Sequence, residues 1–220
     1  MNPILRRVLT GLVIGAAVIA AILLTPPQWM APIVYALILL ALIEFALLLK
    51  RKFPLSAWGV LVGIVGLLVI PFGLLSLLKI AYLPNGNKLL LYVVAIVKFS
   101  DVGGFAVGVT TAKMMKGGNH KLCPSISPGK SWEGLFGSLL FSSLVSCAFI
   151  GITGFPVWKA ILFGVVAALV GTAGDLVESK FKRWIGVKDS SAMAFTNGMG
   201  GILDMIDSLL FAPAVLLAMM

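Results

Sequence analysis

The chain has 220 residues, 60% hydrophobic and 11% charged, with a mean hydropathy of +1.10. A soluble domain carries about a quarter of its residues as charges, so a water-solvated globule is excluded and most of this surface must face lipid. The net charge of +9 comes without any basic-aromatic module, which excludes nucleic acid as the partner; beside apolar runs, Lys and Arg mark loops kept on the cytoplasmic side.

A helix that crosses a bilayer needs about 20 mostly apolar residues. Runs at 8–24, 33–49, 57–78, 89–111, 135–152, 157–174 and 202–219 fit that requirement. They predict an all-α fold, a polytopic transmembrane helical bundle of about seven spans. A β-barrel would instead show weak alternation in segments of about ten residues. The first run follows Arg6 and Arg7 as a signal peptide would, but no small-residue cleavage site follows it. With those arginines inside, Lys50, Arg51 and Lys52 fall inside, as do Lys113, Lys116, Lys121 and Lys130, and then Lys180, Lys182, Arg183 and Lys188. The uncharged stretches 25–32 and 153–156 fall outside. Gly11/Gly15, Gly59/Gly63 and Gly104/Gly108 have the small-xxx-small spacing that lets membrane helices approach closely. Cys123 and Cys147 lack a CxxC spacing and read as free thiols.

No repeat or linker divides the chain, yet its acids are unevenly placed. Residues 1–95, the N-terminal transmembrane helices, hold one carboxylate, Glu44; residues 96–220, the region expected to be catalytic with its cytoplasmic loops, hold the other seven. An ionised side chain in lipid costs at least about 2.5–3.5 kcal/mol. Asp101, Glu133, Asp175, Glu178, Asp189, Asp204 and Asp207 are therefore expected at or near span ends, beside basic loops on the cytoplasmic face, although Lys98 and Asp101 fall inside the run 89–111. Hard carboxylate oxygens hold Mg²⁺ and ammonium or guanidinium groups hold phosphate oxygens, so the set reads as a metal-plus-phosphate site. Helix-end anchoring and solvated salt bridges are the bland alternative for any single residue.

Asp204 and Asp207, three apart, share a face if helical. Asp175 closes a span, with Glu178 a turn later and Lys180, Lys182, Arg183, Lys188 and Asp189 crowding a short loop. Residues 125–134 offer hydroxyls, Lys130 and an expected turn at Pro128-Gly129, but lack the GxxxxGK[ST] spacing of a P-loop. His120, the sole histidine, reads as solvated.

The blocks SDVGGFAVG (100–108), HKLCPSISPGKSWEG (120–134), GDLVESKFKRWIGVKD (174–189) and GGILDMIDS (200–208) occur in the order and spacing of a known signature. The chain resembles the phosphatidate cytidylyltransferases, or CDP-diacylglycerol synthases, over roughly residues 96–215. It departs from their pattern at Met199 and Met205, where histidine and arginine are usual. The resemblance implies transfer of CMP from CTP to phosphatidic acid, giving CDP-diacylglycerol and pyrophosphate. It implies Asp175, Asp204 and Asp207 as ligands of Mg²⁺, with a second cation, monovalent or divalent, left open. Asp101, Lys130, Lys182, Arg183, Lys188 and Asp189 would be catalytic, and Ser127, Lys130, Ser179, Lys182 and Arg183 would contact the nucleotide. It further implies a multi-pass protein of the cytoplasmic membrane, in contact with membrane lipids, and a homodimer. Enzymes acting with CTP on another lipid phosphate or alcohol, an inactive relative, and a transporter remain the alternatives; a transporter would place charges near mid-span.

Overall fold

A computed structural model describes residues 15–52, 56–187 and 201–220. Among the described residues, four helices are long and apolar enough to cross a membrane: α2 (Pro27–Lys52), α3 (Ala57–Ala81), α4 (Gly86–Met114) and α7 (Val157–Ile185). Shorter elements complete the helical set: α1 (Gly15–Leu24), α5 (Trp132–Ala148), α6 (Ile150–Thr153), α8 (Ile202–Ile206) and α9 (Ala212–Met219). The fold is an all-α membrane bundle. Between α4 and α5 lies one small antiparallel hairpin, β1 (Lys121–Cys123) with β2 (Ser127–Ser131).

Large apolar side chains face outward as well as inward. Leu68, Phe72, Phe105 and Phe136 are each at least 60% exposed, while Leu48, Leu74, Tyr92 and Phe163 are buried; the contacts of α5 with α4 and α7 are built from small and hydroxylated residues. A Cβ on Gly137 would lie 2.5 Å from the Gly103 carbonyl oxygen, and one on Gly164 would lie 2.5 Å from Ser143 Cα. Only glycine permits those approaches of α5 to α4 and α7. Serines stitch the same contacts: Ser138 Oγ donates to Ser100 O (2.9 Å), Ser142 Oγ to Gly164 O (2.9 Å) and Ser146 Oγ to Ala160 O (2.6 Å). Of the expected small-residue pairs, Gly104 is in tight contact with Ser138, and Gly63 and Gly108 are in ordinary contact. A Cβ on Gly15 would meet no other element within 4 Å among the described residues, and Gly11 lies outside them.

Three expectations about local structure need correcting. The span expected to end at 174 continues as helix to Ile185, so Lys180, Lys182 and Arg183 stand on α7 rather than in a loop, on the same helix as Asp175 and Glu178. Residues 175–185 contain no Gly or Pro and include the good helix formers Leu176, Glu178, Lys180, Lys182 and Arg183, and Gly186 in the left-handed conformation (φ 85°) supplies the stop. The run 202–219 is not one helix: α8 passes into a 3₁₀ turn (Asp207–Leu209), and α9 starts again with Pro213 in its first turn. Asp204 and Asp207 therefore do not share a continuous α-helix. Third, the hairpin turns at residues 124–126, where Ile126 N–H donates to Cys123 O (3.2 Å), while Pro128 and Gly129 lie within β2. In a two-stranded ribbon both strands are edges, and an edge tolerates a residue without an N–H.

Candidate active site

Asn119 anchors the hairpin to the bundle, its Nδ2 donating to Gly108 O on α4 (2.5 Å) and to Ser131 Oγ (3.2 Å). Ser131 then caps α5, its Oγ accepting from Gly134 N–H (3.0 Å). His120 pairs with Glu133 (Nδ1 to Oε1, 2.7 Å), ahead of the apolar part of α5. That bond is the largest cause holding the Glu133 carboxyl down at about 2. These contacts hang β2 beside α7 and so deliver Lys130 to it: Lys130 Nζ lies 2.6 Å from Asp175 Oδ2 and donates to Thr172 O (3.3 Å).

Here a cavity of about 630 Å³ opens between α4, β2, α7 and the α8 region. Lys98 and Asp101 come from α4, Lys130 from β2, Asp175 and Lys182 from α7, and Asp204 and Asp207 from α8 and the 3₁₀ turn. Asp175, Glu178 and Lys182 follow one another at i, i+3 and i+7, which keeps them on one face of α7. Lys182 Nζ pairs with Glu178 Oε2 (2.5 Å) and with Asp204 Oδ1. Asp204 also accepts through Oδ2 from Gly201 N–H (2.8 Å), fixing the first turn of α8. Asp207 Oδ1 accepts from Ser208 N–H (2.5 Å), and Ser179 Oγ donates to Asp175 Oδ1 (3.3 Å).

One carboxylate oxygen each from Asp175, Glu178 and Asp207 lies within 4.8 Å of the others. Glu178 Oε1 is buried and has no hydrogen-bond partner among the described residues, which is costly unless something else meets it. Among the described residues, four carboxylates (Asp101, Asp175, Asp204 and Asp207) line the cavity with three ammonium groups (Lys98, Lys130 and Lys182), and Glu178 stands beside it on Lys182. Three converging hard oxygens, with an orphaned carboxylate oxygen on Glu178, fit a magnesium-like cation.

The expected residues divide clearly. Asp101, Lys130, Asp175, Lys182, Asp204 and Asp207 meet around the one cavity. Ser179 reaches it only through Asp175; Ser127 does not line it, and Arg183 is exposed on α7 and does not line it. Lys188 and Asp189, like Met199, lie outside the described residues. Asp101 is not at a span end but midway along α4, 3.9 Å from Lys98 one turn earlier. Sequence reasoning gave Glu178 no role in the acidic trio. Its i+3 spacing from Asp175 would have exposed it once α7 was carried past residue 174. Glu44 was passed over too, although it is the lone acid of the first 95 residues.

Comparison with known proteins places this geometry in context. The matched relatives include phosphatidate cytidylyltransferases of Staphylococcus aureus (44% identical over 129 residues, 58% of this chain and 46% of that protein) and of Mycobacterium tuberculosis (38% over 134 residues, 60% of this chain and 38% of that protein). That of Mycobacterium bovis is likewise 38% identical over 134 residues, covering 60% of this chain and 40% of its own length. The aligned region thus spans less than half of these curated relatives. The profile of the cytidylyltransferase family matches residues 48–220. With the cavity and all of its lining acids inside that match, the chain belongs to the cytidylyltransferase family.

Proposed function

We propose that the chain transfers the cytidylyl group of CTP to phosphatidic acid at the cytoplasmic face of a membrane, giving CDP-diacylglycerol and pyrophosphate. A phosphate oxygen of phosphatidate attacks the α-phosphorus of CTP. The new P–O bond replaces the bond to the β-phosphate, and the electron pair leaves with pyrophosphate. Charge spreads over phosphate oxygens, so the chain's work is positioning and electrostatic stabilisation rather than covalent catalysis.

Lys130 and Lys182 are the groups placed to hold phosphate oxygens. Each is already oriented by a carboxylate, Lys130 by Asp175 and Lys182 by Glu178 and Asp204. Asp175, Glu178 and Asp207 would hold Mg²⁺, with Asp204 alongside. Bound there, the ion would supply Lewis-acid stabilisation of phosphoryl charge. Asp101 and Lys98 form the α4 wall, where Asp101 would orient a phosphate or take part in a second cation site. The names of the relatives support phosphatidate as acceptor and CTP as donor.

The observation that carries the reading is the meeting of three close carboxylate oxygens with two lysines in one cavity. The test is to supply the detergent-purified protein with CTP labelled in the α-phosphate, phosphatidate and Mg²⁺. Labelled CDP-diacylglycerol and pyrophosphate should appear in equal amounts. Release of CDP with a lipid alcohol as acceptor would overturn the reading in favour of a CTP-dependent kinase. Absence of both labelled lipid and labelled CDP with every acceptor would overturn it altogether.

A further inference from the structure

Glu44 lies midway along α2 on a face that is otherwise apolar. Val34, Ala41 and Leu48, at −10, −3 and +4 from it, are all buried, and Glu44 itself is 1% exposed. A carboxyl group inside such a face is costly unless a donor meets it. The donor comes from 159 residues away: Leu203 N–H donates to Glu44 Oε2 at 2.9 Å.

Leu203 is the second residue of α8, so its N–H is among the first-turn donors that have no partner within their own helix. α8 has only five residues and cannot hold its own geometry by propagation. Its first turn is pinned from two sides, by Asp204 on Gly201 N–H and by Glu44 on Leu203 N–H. Asp204 follows Leu203 directly, and Asp207 begins the turn after α8. The neighbour Phe45 stacks on Phe181 of α7 (centroids 5.1 Å apart), the residue before Lys182. One turn of α2 thus grips two of the strips of chain around the cavity, α7 and α8.

We infer that Glu44 is a positioning residue, which sets the depth and orientation of α8 so that Asp204 and Asp207 converge on α7. It lies before the stretch matched by the family profile, which begins at residue 48, and it does not line the cavity. The inference rests on the reading of the carboxylates as a cation site. What matters is an acceptor at Oε2, so Glu44→Gln retains the role and Glu44→Ala abolishes it.

The test measures Mn²⁺ binding to the full chain in detergent by loss of the free-ion EPR signal, with thermal unfolding recorded on the same samples. Glu44→Ala should weaken Mn²⁺ binding about tenfold, the scale of losing a hydrogen bond to a charged group, and Glu44→Gln should stay within about twofold of wild type. Where Glu44→Ala does not survive solubilisation, Glu44→Asp, which withdraws the acceptor by one methylene, serves in its place and should bind several-fold more weakly. Asp207→Asn is the control. If Asp207→Asn loses Mn²⁺ while Glu44→Ala or Glu44→Asp binds as wild type, the role of Glu44 is overturned and the cation site stands. Glu44→Gln as weak as Glu44→Ala also overturns it, because an acceptor alone would then not suffice. If Asp207→Asn binds as tightly as wild type, the cation site itself is overturned.

Discussion

Lys130→Met separates a catalytic lysine from a structural one. Lys130 Nζ spends two of its donors on Asp175 Oδ2 (2.6 Å) and Thr172 O (3.3 Å). The third is open, among the described residues, to a ligand in the cavity. At 2.6 Å the gross attraction to Asp175 is about 6 kcal/mol with an effective dielectric constant of about 20. Asp175 is, however, 38% exposed, so screening and desolvation bring the net contribution to folding down to about 1 kcal/mol or less. Methionine keeps the length of the side chain and removes its charge. Loss of one preorganised donor to developing phosphoryl charge costs about 10²–10³ in rate, or roughly 2.7–4 kcal/mol. Turnover of labelled CTP by Lys130→Met should therefore fall about 10²–10³-fold while the unfolding temperature in detergent moves by a few degrees. A fall of less than about tenfold, or one matched by loss of folded protein, would refute the assignment of Lys130 to the phosphates.

The remaining predictions concern the acids and the fit of the 3₁₀ turn. Asp207→Asn should abolish turnover while the protein still elutes as a folded species in detergent, and Asp204→Asn, which leaves Lys182 an acceptor but removes the negative charge paired with it, should do the same; wild-type rates in both variants would remove the metal-site assignment. Chelation with EDTA should stop CDP-diacylglycerol formation and added Mg²⁺ should restore it; turnover indifferent to EDTA would rule out a divalent ion held by Asp175, Glu178 and Asp207. A Cβ on Gly174 would stand 3.1 Å from the Asp207 carbonyl oxygen and 3.1 Å from the Phe211 ring, so Gly174→Val must push the turn off α7. A displacement of about 1 Å should lower turnover about 10²-fold, measured alongside Gly174→Ala as the milder step; wild-type turnover in Gly174→Val would show that the turn need not seat there.

The helical bundle was legible because hydropathy has one dominant cause, lipid, and α2 and α3 coincide with their apolar runs to within a few residues except at the start of α2. What escaped was where polar residues continue a helix. Asp175, Glu178 and Lys182 end the apolar run without ending α7, since helix-forming polar residues propagate once a long helix is nucleated. Asp101 shows the converse. A charge was expected at a span end, yet it stands midway along α4 beside Lys98, where a cavity rather than an interface receives it. Asp204 and Asp207 were recognised as a pair from their spacing alone. The break between α8 and the 3₁₀ turn was invisible, because nothing in ILDMIDSLL is a helix breaker. The partnership of Glu44 with Leu203 spans 159 residues, and no local pattern encodes it; the only signal was one acid in a long acid-free stretch.

A single stripe along α7 explains why the site forms where it does. Ala160, Gly164, Ala167 and Gly171 are buried and spaced 4, 3 and 4 apart, and the same spacing carries on to Asp175, Glu178 and Lys182. The first half of the stripe has almost no side-chain bulk, so α5 closes on it through Ser142 and Ser146. At Gly171 and Gly174 the absence of bulk admits the 3₁₀ turn instead, with Ser208 O 3.7 Å and Asp207 O 3.1 Å from where a Cβ would stand. One turn further on, bulk and charge return on the side chains that the seated turn now faces. The glycines set the distance at which the carboxylates of α7 meet Asp207, and Glu44 sets the angle at which α8 delivers Asp204 to Lys182. Close packing in the apolar half of α7 and charge convergence in the other half are therefore consequences of one helical face changing composition along its length.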